Sequence, residues 1–315
     1  MNSKRGKNAV KERINQLLNM AWNTQSTART LAIVSQILEI DPDNVDALIM
    51  KADNTKDSDA RIEILTHALE ALHNPEKLDI DERDILLYVV NQRLAFTMFY
   101  ANRFREAFSY CEAALNSDAV DDDPDAEDSI EDLKALYYRL LIEAKDWKRI
   151  LAETMRDEEH SLAWGYSRLI AAWMLAPDNA RRICAGMFWD VLMMAPDVPY
   201  YILGIFPEPD DDARQQAHDD FDFAVLFYDA VSVSDDFFRW FNRGAILFGL
   251  LTRRFEERER EYLLDVLDSL GGYEEYERMS SIIVEGDDEA VIEMLSANKY
   301  LADFTQVYTS EDFAD

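Results

Sequence analysis

The chain has 315 residues, of which 48% are apolar, and it contains only 9 glycines and 8 prolines. Average usage would place roughly 22 glycines and 16 prolines in this length, so the shortage of turn residues favours an all-α fold and argues against many short strands. A net charge of −31 at pH 7 repels phosphate backbones and disfavours nucleic acid as a partner. No stretch approaches the ~18 uninterrupted apolar residues of a membrane span, and no apolar run follows the basic N-terminal residues as in a secretory signal.

The first part of the chain is predicted to form helical hairpins. Residues 1–29 comprise a basic arm, for which we expect a frayed end, and a first helix with an apolar period that starts near Ala9. Residues 30–42 form the partner helix, which ends at a proline because proline cannot continue a helix. Helices over 45–52 and 58–72 follow as the second pair.

The central hairpin, residues 92–119, carries the clearest pattern. Its helices are predicted over 81–101 and 104–116, and Phe104 fills the wedge at the turn. This is the spacing of a tetratricopeptide unit, a helical hairpin of about 34 residues with small residues at the contact. The residues expected where the two helices meet are Leu94, Ala95 and Met98 on the first helix, and Ala107, Cys111 and Ala114 on the second.

Separations of 4, 3 and 5 residues recur in three second helices, in sets that begin at positions 30, 107 and 184. The recurrence predicts an α-solenoid, a right-handed tetratricopeptide-like superhelix of about five hairpins. The sets are Thr30, Val34, Ile37 and Pro42; Ala107, Cys111, Ala114 and Ala119; and Cys184, Phe188, Val191 and Pro196.

Cys111 and Cys184 are the only cysteines. Both fall at expected helix contacts, so we interpret them as small core residues and not as a disulfide or a metal pair. This usage is typical of a reducing compartment, and we expect a cytoplasmic protein that needs no cofactor.

An acidic stretch, residues 117–132, follows the central hairpin. Asp121, Asp123 and Asp125 alternate as in a calcium-binding loop, but Ala126 stands where that loop needs glycine. A solvated loop between repeats is therefore the favoured interpretation.

Two further pairs are predicted, the fourth over 130–144 and 150–155 and the fifth over 161–175 and 179–194, the latter joined at Pro177-Asp178. Four prolines then forbid a regular helix, so we predict a boundary near 205. The predicted organisation is 1–29, the arm and first helix; 30–205, the repeats; and 206–315, a helical C-terminal cap with helices over 212–231, 235–252, 255–270, 274–285 and 288–297.

The chain resembles a tetratricopeptide-repeat family related to the suppressor-of-tumorigenicity seven protein and its bacterial relatives. The resemblance uses residues 37–53, the central hairpin and residues 196–204, and it continues through 218–230 to Phe237, Trp240 and Phe241, covering roughly residues 30–250. It implies helical repeats and interaction with other proteins. It implies no catalytic activity and no particular ligand.

Signatures of enzymes are missing, since the sequence has no glycine-rich phosphate loop, G-x-S-x-G, H-E-x-x-H or C-x-x-C. We therefore expect a protein that is not an enzyme. One alternative is a metal-dependent hydrolase site around His218, Asp219 and Asp222, because His and Asp are common metal ligands. Another is a homodimer built on the apolar helix 237–251.

The favoured function is a protein–protein interaction scaffold that binds a protein or peptide segment in the concave groove of the stacked hairpins. Aromatic side chains with a polar tip suit peptide recognition, and acidic rims would attract a basic partner. Tyr100 and Arg139 are expected to be exposed, whereas packing against neighbouring helices is the alternative for Phe96 and Phe99. The predicted groove residues are Gln92, Phe96, Phe99, Tyr100, Arg139 and Glu143.

Overall fold

A computed structural model describes residues 2–73, 80–117, 127–157, 160–175 and 177–280. Every regular element in these ranges is helical, which confirms the all-α prediction. A short 3₁₀ helix, Tyr228–Ser232, follows α12. The α-helices are α1 (Asn2–Trp22), α2 (Thr27–Ile40), α3 (Val45–Asp53), α4 (Ser58–Leu72), α5 (Ile80–Tyr100), α6 (Phe104–Leu115), α7 (Glu127–Glu143), α8 (Trp147–Thr154), α9 (Leu162–Leu175), α10 (Pro177–Met194), α11 (Val198–Ile202), α12 (Gln215–Phe227), α13 (Asp235–Leu251), α14 (Glu257–Ser269) and α15 (Tyr273–Ser280).

By its internal contacts the chain divides into two compact units, Met1–Leu140 and Leu141–Asp315. This division lies inside the predicted repeat region 30–205. Near residue 205 the second unit has a break between helices: α11 ends at Ile202 and α12 begins at Gln215. The prolines in this stretch account for the break, because each removes a backbone donor and fixes its φ.

In the first unit each helix from α1 to α5 packs against the next one along the chain. This is the local pattern of an α-solenoid, in which each element contacts its neighbours. Helix α1 begins at Asn2, so the basic N-terminal residues belong to a helix. Ile14 and Leu17 of α1 are buried in one cluster with Val34 and Ile37 of α2, and burial of this apolar face stabilises α1.

The central hairpin is the α5–α6 pair, and its predicted contact residues are confirmed as core. Leu94, Ala95, Ala107, Cys111 and Ala114 are fully buried, and Met98 is 2% exposed. Asn102 turns the chain in the left-handed region at φ 58°, where asparagine is tolerated better than most residues. The N–H of Arg103 donates to the carbonyl of Met98 at 2.8 Å. The turn thus provides a donor for a carbonyl in the last turn of α5, as a Schellman motif does.

Two predicted connections differ from the structure. The loop predicted over 117–132 ends earlier than expected, because α7 begins at Glu127. Acidic residues are favourable in the first turn of a helix. Asp121, Asp123 and Asp125 lie outside the described residues. Pro177-Asp178 is not a joint but the start of α10, since the first turn of a helix tolerates a residue without an N–H.

In the second unit α8, α9 and α10 pack in sequence, and α13 contacts α14 and α15. Helix 237–251, which the sequence offers as a homodimer face, packs within the chain through two of its aromatic residues: Phe237 is fully buried and Trp240 is 3% exposed. The Trp240 ring lies 4.9 Å from Trp173 of α9 and 5.1 Å from Phe188 of α10. The side of α13 that carries Phe237 and Trp240 is therefore covered inside the second unit.

None of the helices formed by the described residues combines the length and the apolar character that a bilayer crossing requires.

Candidate functional site

A cluster of aromatic side chains surrounds the turn between α5 and α6. We call it the Tyr100 surface and define it as Tyr100 with its three supporting residues Phe99, Phe104 and Arg139. The Phe99 and Tyr100 rings meet edge to face with centroids 5.4 Å apart, and the Phe99 and Phe104 rings lie 5.6 Å apart. Tyr100 is 57% exposed, whereas Phe99 is 8% exposed. The surface therefore presents one open aromatic ring on a packed base.

Local structure fixes the position of these rings. Tyr100 is the last residue of α5 and Phe104 is the first residue of α6. Because the left-handed Asn102 ends one helix and allows the next to start within three residues, the two aromatic residues are held on either side of one short turn.

The prediction that Arg139 is exposed is wrong, since only 3% of this residue is exposed. Its guanidinium carbon lies 5.5 Å from the centroid of the Phe99 ring, within the range of a cation–π contact. On α7 all residues from Tyr138 to Ile142 are buried, so this helix has no solvated face at position 139. Arg139 is part of the support of the surface and not of its exposed rim.

The other predicted groove residues are half-buried. Gln92 and Phe96 are half-buried on α5, and their spacing from Tyr100 puts them on the same side of that helix. Glu143 is half-buried and belongs to the second unit. The structure thus brings Phe99, Tyr100 and Arg139 together in direct contact, and that these residues bind a partner stays a prediction.

Charged side chains near the surface are paired. Arg93, next to Gln92, donates two hydrogen bonds to the Asp53 carboxylate at 2.9 and 3.1 Å. Arg103 in the turn pairs with Glu106, and this hydrogen bond raises the pKa of Arg103 and lowers that of Glu106. Both pairs are solvent-accessible, where ion pairs add little stability.

A further groove lies on the α3–α4 hairpin, at a place that no sequence pattern indicates. It is an open groove of about 710 Å³. At its edge His67 Nε2 lies 3.0 Å from an Asp43 carboxylate oxygen. Its mixed polar and apolar lining gives no distinctive sequence signal, since the same residues read as an ordinary solvated helix face. The lining residues are Leu48, Lys51, Thr55, Ala60, Glu63, Ile64, Thr66, His67 and Glu70.

The alternative site around His218, Asp219 and Asp222 lies on α12. Asp219 accepts a hydrogen bond from Gln215 at 2.8 Å. The buried carboxylate on this helix is that of Asp220, which is 6% exposed and accepts from Gln216 at 2.7 Å. Burial is the main cause that raises the pKa of Asp220, and the charges of Asp197 and Asp219 add to it. Across the described part of the chain, His, Cys, Asp and Glu form no group of three that could hold a metal ion.

The two cysteines are buried as predicted. Cys111 Sγ lies 3.5 Å from the carbonyl oxygen of Leu133, and Cys184 Sγ lies 3.7 Å from that of Leu169. Both thiols are free and fully buried, and burial raises the pKa of each to about 12.

The native protein is therefore expected to resist thiol reagents at pH 8. A thiol with its pKa raised from 9.0 to about 12 carries about 10³-fold less of the reactive thiolate, and burial also blocks access. A colorimetric thiol titration should find no fast-reacting group in the native state and two after unfolding in guanidinium. One equivalent that reacts within seconds in the native state would contradict the burial of these residues.

Comparison of the chain with protein-family models, curated proteins and solved structures found no match.

Proposed function

We propose that this protein is a non-catalytic interaction scaffold that binds a segment of a partner protein at the Tyr100 surface. The observation that carries the proposal is the exposed Tyr100 ring, 57% accessible, on a packed base of Phe99, Phe104 and Arg139. An aromatic ring that is held in place loses little entropy on binding and buries a large area. Such residues are the usual anchors of protein interfaces.

The support matters as much as the exposed ring. The Phe99 ring meets the Tyr100 ring edge to face and has the Arg139 guanidinium over its own face. Phe99 therefore restricts the movement of the Tyr100 ring on one side. A preorganised side chain saves part of the ordering cost of association. Half-buried Gln92 and Phe96 extend the same side of α5 and would continue the contact along the helix.

The partner that fits best is a basic and partly apolar segment. The chain carries a net charge of −31, which attracts a positively charged partner over long range and raises the association rate. The proposal includes a tetratricopeptide-like superhelix, as the resemblance to the suppressor-of-tumorigenicity seven family implies, and a location in the reducing cytoplasm. Consecutive packing of the helices of the first unit supports the first of these.

Tyr100→Glu is expected to abolish capture of the partner without unfolding the protein. Loss of a central aromatic anchor costs ~2 kcal/mol or more of binding free energy, which is at least about 30-fold in affinity. The measurement is affinity capture from native lysate read by mass spectrometry, followed by calorimetric titration of the captured protein with wild-type and variant.

Tyr228→Glu is the matched control, because Tyr228 is 58% exposed on the second unit. It introduces the same charge at the same degree of exposure and should leave the affinity unchanged. Equal affinity of wild-type and Tyr100→Glu for every captured protein would refute the Tyr100 surface as the binding site.

A further inference from the structure

The second unit carries an apolar groove of about 330 Å³ that is distinct from the Tyr100 surface. It lies between α13, α14 and the turn that follows α11. Two large aromatic side chains on its walls are open to solvent, Tyr262 at 67% and Phe238 at 37% exposure. The lining residues are Leu203, Gly204, Ile205, Phe238, Asn242, Ile246, Glu259, Tyr262, Leu263 and Val266. Contact between this apolar surface and water is unfavourable, so covering the groove with an apolar group lowers the free energy.

Charged side chains of both signs lie near the groove. Glu259 is the charged lining residue, and its carboxylate already accepts from the N–H of Glu256 at 3.2 Å in the cap of α14. Exposed Arg239 follows Phe238, and exposed Arg258 lies one helical turn before Tyr262. Neither guanidinium forms an ion pair with the residues that the structure describes. Acidic side chains flank both arginines, Asp235 and Asp236 on α13 and Glu257 and Glu261 on α14. The apolar lining therefore sets the main requirement for an occupant, and the two arginines add positions where carboxylates of that occupant can pair.

Residues 281–315 of the same chain have this composition and lie outside the described residues. Acidic residues are interspersed among apolar ones through 288–304, the sequence DEAVIEMLSANKYLADF. The acidic members are Asp288, Glu289, Glu293 and Asp303, and Val291, Met294, Leu295 and Leu301 recur at the spacing of one helical face.

The last described helix packs against both helices that form the groove. Helix α15 ends at Ser280 and packs against both α13 and α14. Glu275 of α15 pairs with Arg243 of α13 at 3.2 Å, and Tyr276 accepts from Arg260 of α14 at 3.0 Å. The groove wall α14 has 13 residues and is about 20 Å long. The seven residues 281–287 can span roughly 25 Å when extended, so the tether reaches the whole groove.

We propose that residues 288–304 dock in the apolar groove between α13 and α14, with their apolar side chains against Phe238 and Tyr262 and their carboxylates beside Arg239 and Arg258. A short tether gives the segment an effective concentration in the millimolar range. Weak contacts are therefore enough to keep the groove filled, and an external acidic segment must compete with the chain's own.

Hydrogen exchange of the full-length chain, read by mass spectrometry, tests this docking. In the wild-type protein, amides of 288–304 should exchange about tenfold or more slowly than in an unstructured peptide. Tyr262→Glu and the double variant Arg239→Glu/Arg258→Glu should each return these amides to within about twofold of the unprotected rate. Met155→Glu, at a position 82% exposed, is the control and should leave the exchange unchanged.

Hydroxyl-radical footprinting gives the reciprocal readout. Leu295→Glu/Leu301→Glu should raise the oxidation rate of Tyr262 and Phe238 about threefold or more relative to wild type, because the variant segment leaves the groove. Circular dichroism would verify that each variant keeps its helical content.

Three results would each overturn the proposal. Unprotected exchange of 288–304 in the wild-type protein would show that the segment does not dock. Protection that survives Tyr262→Glu would place the segment elsewhere. Protection that falls on dilution would identify the segment of a second copy, and not the chain's own, as the occupant.

Discussion

Gly249→Ala is expected to destabilise the protein by about 2–3 kcal/mol, as overpacking of a filled core does. A Cβ atom at this position would overlap Phe255 Cζ and would lie 2.5 Å from Phe255 Cε2 and 2.7 Å from Tyr200 Oη. Neither neighbour can move away cheaply. Phe255 is 7% exposed, and Tyr200 is fully buried and donates its hydroxyl to the carbonyl of Ala245 at 3.1 Å. The added methyl group must displace a packed ring or break this hydrogen bond.

Urea unfolding followed by circular dichroism measures the effect, and Gly186→Ala is the matched control. Gly186 lies in α10, is exposed, and has no heavy atom within 4 Å of a built Cβ. Alanine there should leave the free energy of unfolding unchanged or raise it by up to about 1 kcal/mol, because glycine is a poor helix former. Equal midpoints for the two variants would contradict the close approach of α13 to Tyr200 and Phe255.

Arg139→Glu is expected to be the most damaging charge reversal in the first unit, at about 3–5 kcal/mol. Arg139 is 3% exposed and lies over the Phe99 ring with its guanidinium carbon 5.5 Å from the ring centroid. The variant loses this contact, places a carboxylate over the negative face of the ring, and removes that charge from water. The Tyr100 surface would lose its base together with part of the fold.

Arg105→Glu provides the comparison, since Arg105 is an exposed residue of α6 in the same unit. The change in net charge is identical, and the expected change in the free energy of unfolding is within about 0.5 kcal/mol. Thermal unfolding of both variants checks the prediction. A small effect of Arg139→Glu, similar to that of Arg105→Glu, would mean that position 139 is solvated.

Much of the helical layout could be predicted from the sequence because local signals and burial agree. The sequence predicts a helix over 58–72, and α4 spans Ser58–Leu72. Asp57 accepts from the N–H of Ala60 at 2.8 Å, as an N-cap residue does, and Leu65 and Ala68 face the core with no exposure. Where an N-cap residue and an apolar period coincide in this way, the bounds of the helix can be predicted from the local sequence alone.

The candidate site was only partly predictable, because burial of a charged side chain depends on what packs around it. Arg139 lies off the apolar stripe of α7, so a helical period assigns it to solvent. The structure buries it with its neighbours Tyr138 and Leu140. The groove of the second unit was missed for a related reason: Leu203, Phe238 and Tyr262 come from three separate elements, and periodicity within one helix cannot show that they meet.

The most direct test of the Tyr100 surface is a photo-crosslinking amino acid placed at position 100 of the full-length protein in cells. The same residue at position 228 is the control, since Tyr228 has nearly the same exposure, 58% against 57%. The proposed function predicts a discrete crosslinked partner from position 100 and not from position 228. Crosslinks from position 228 alone, or the same products from both positions, would contradict the assignment of the Tyr100 surface as the partner-binding site.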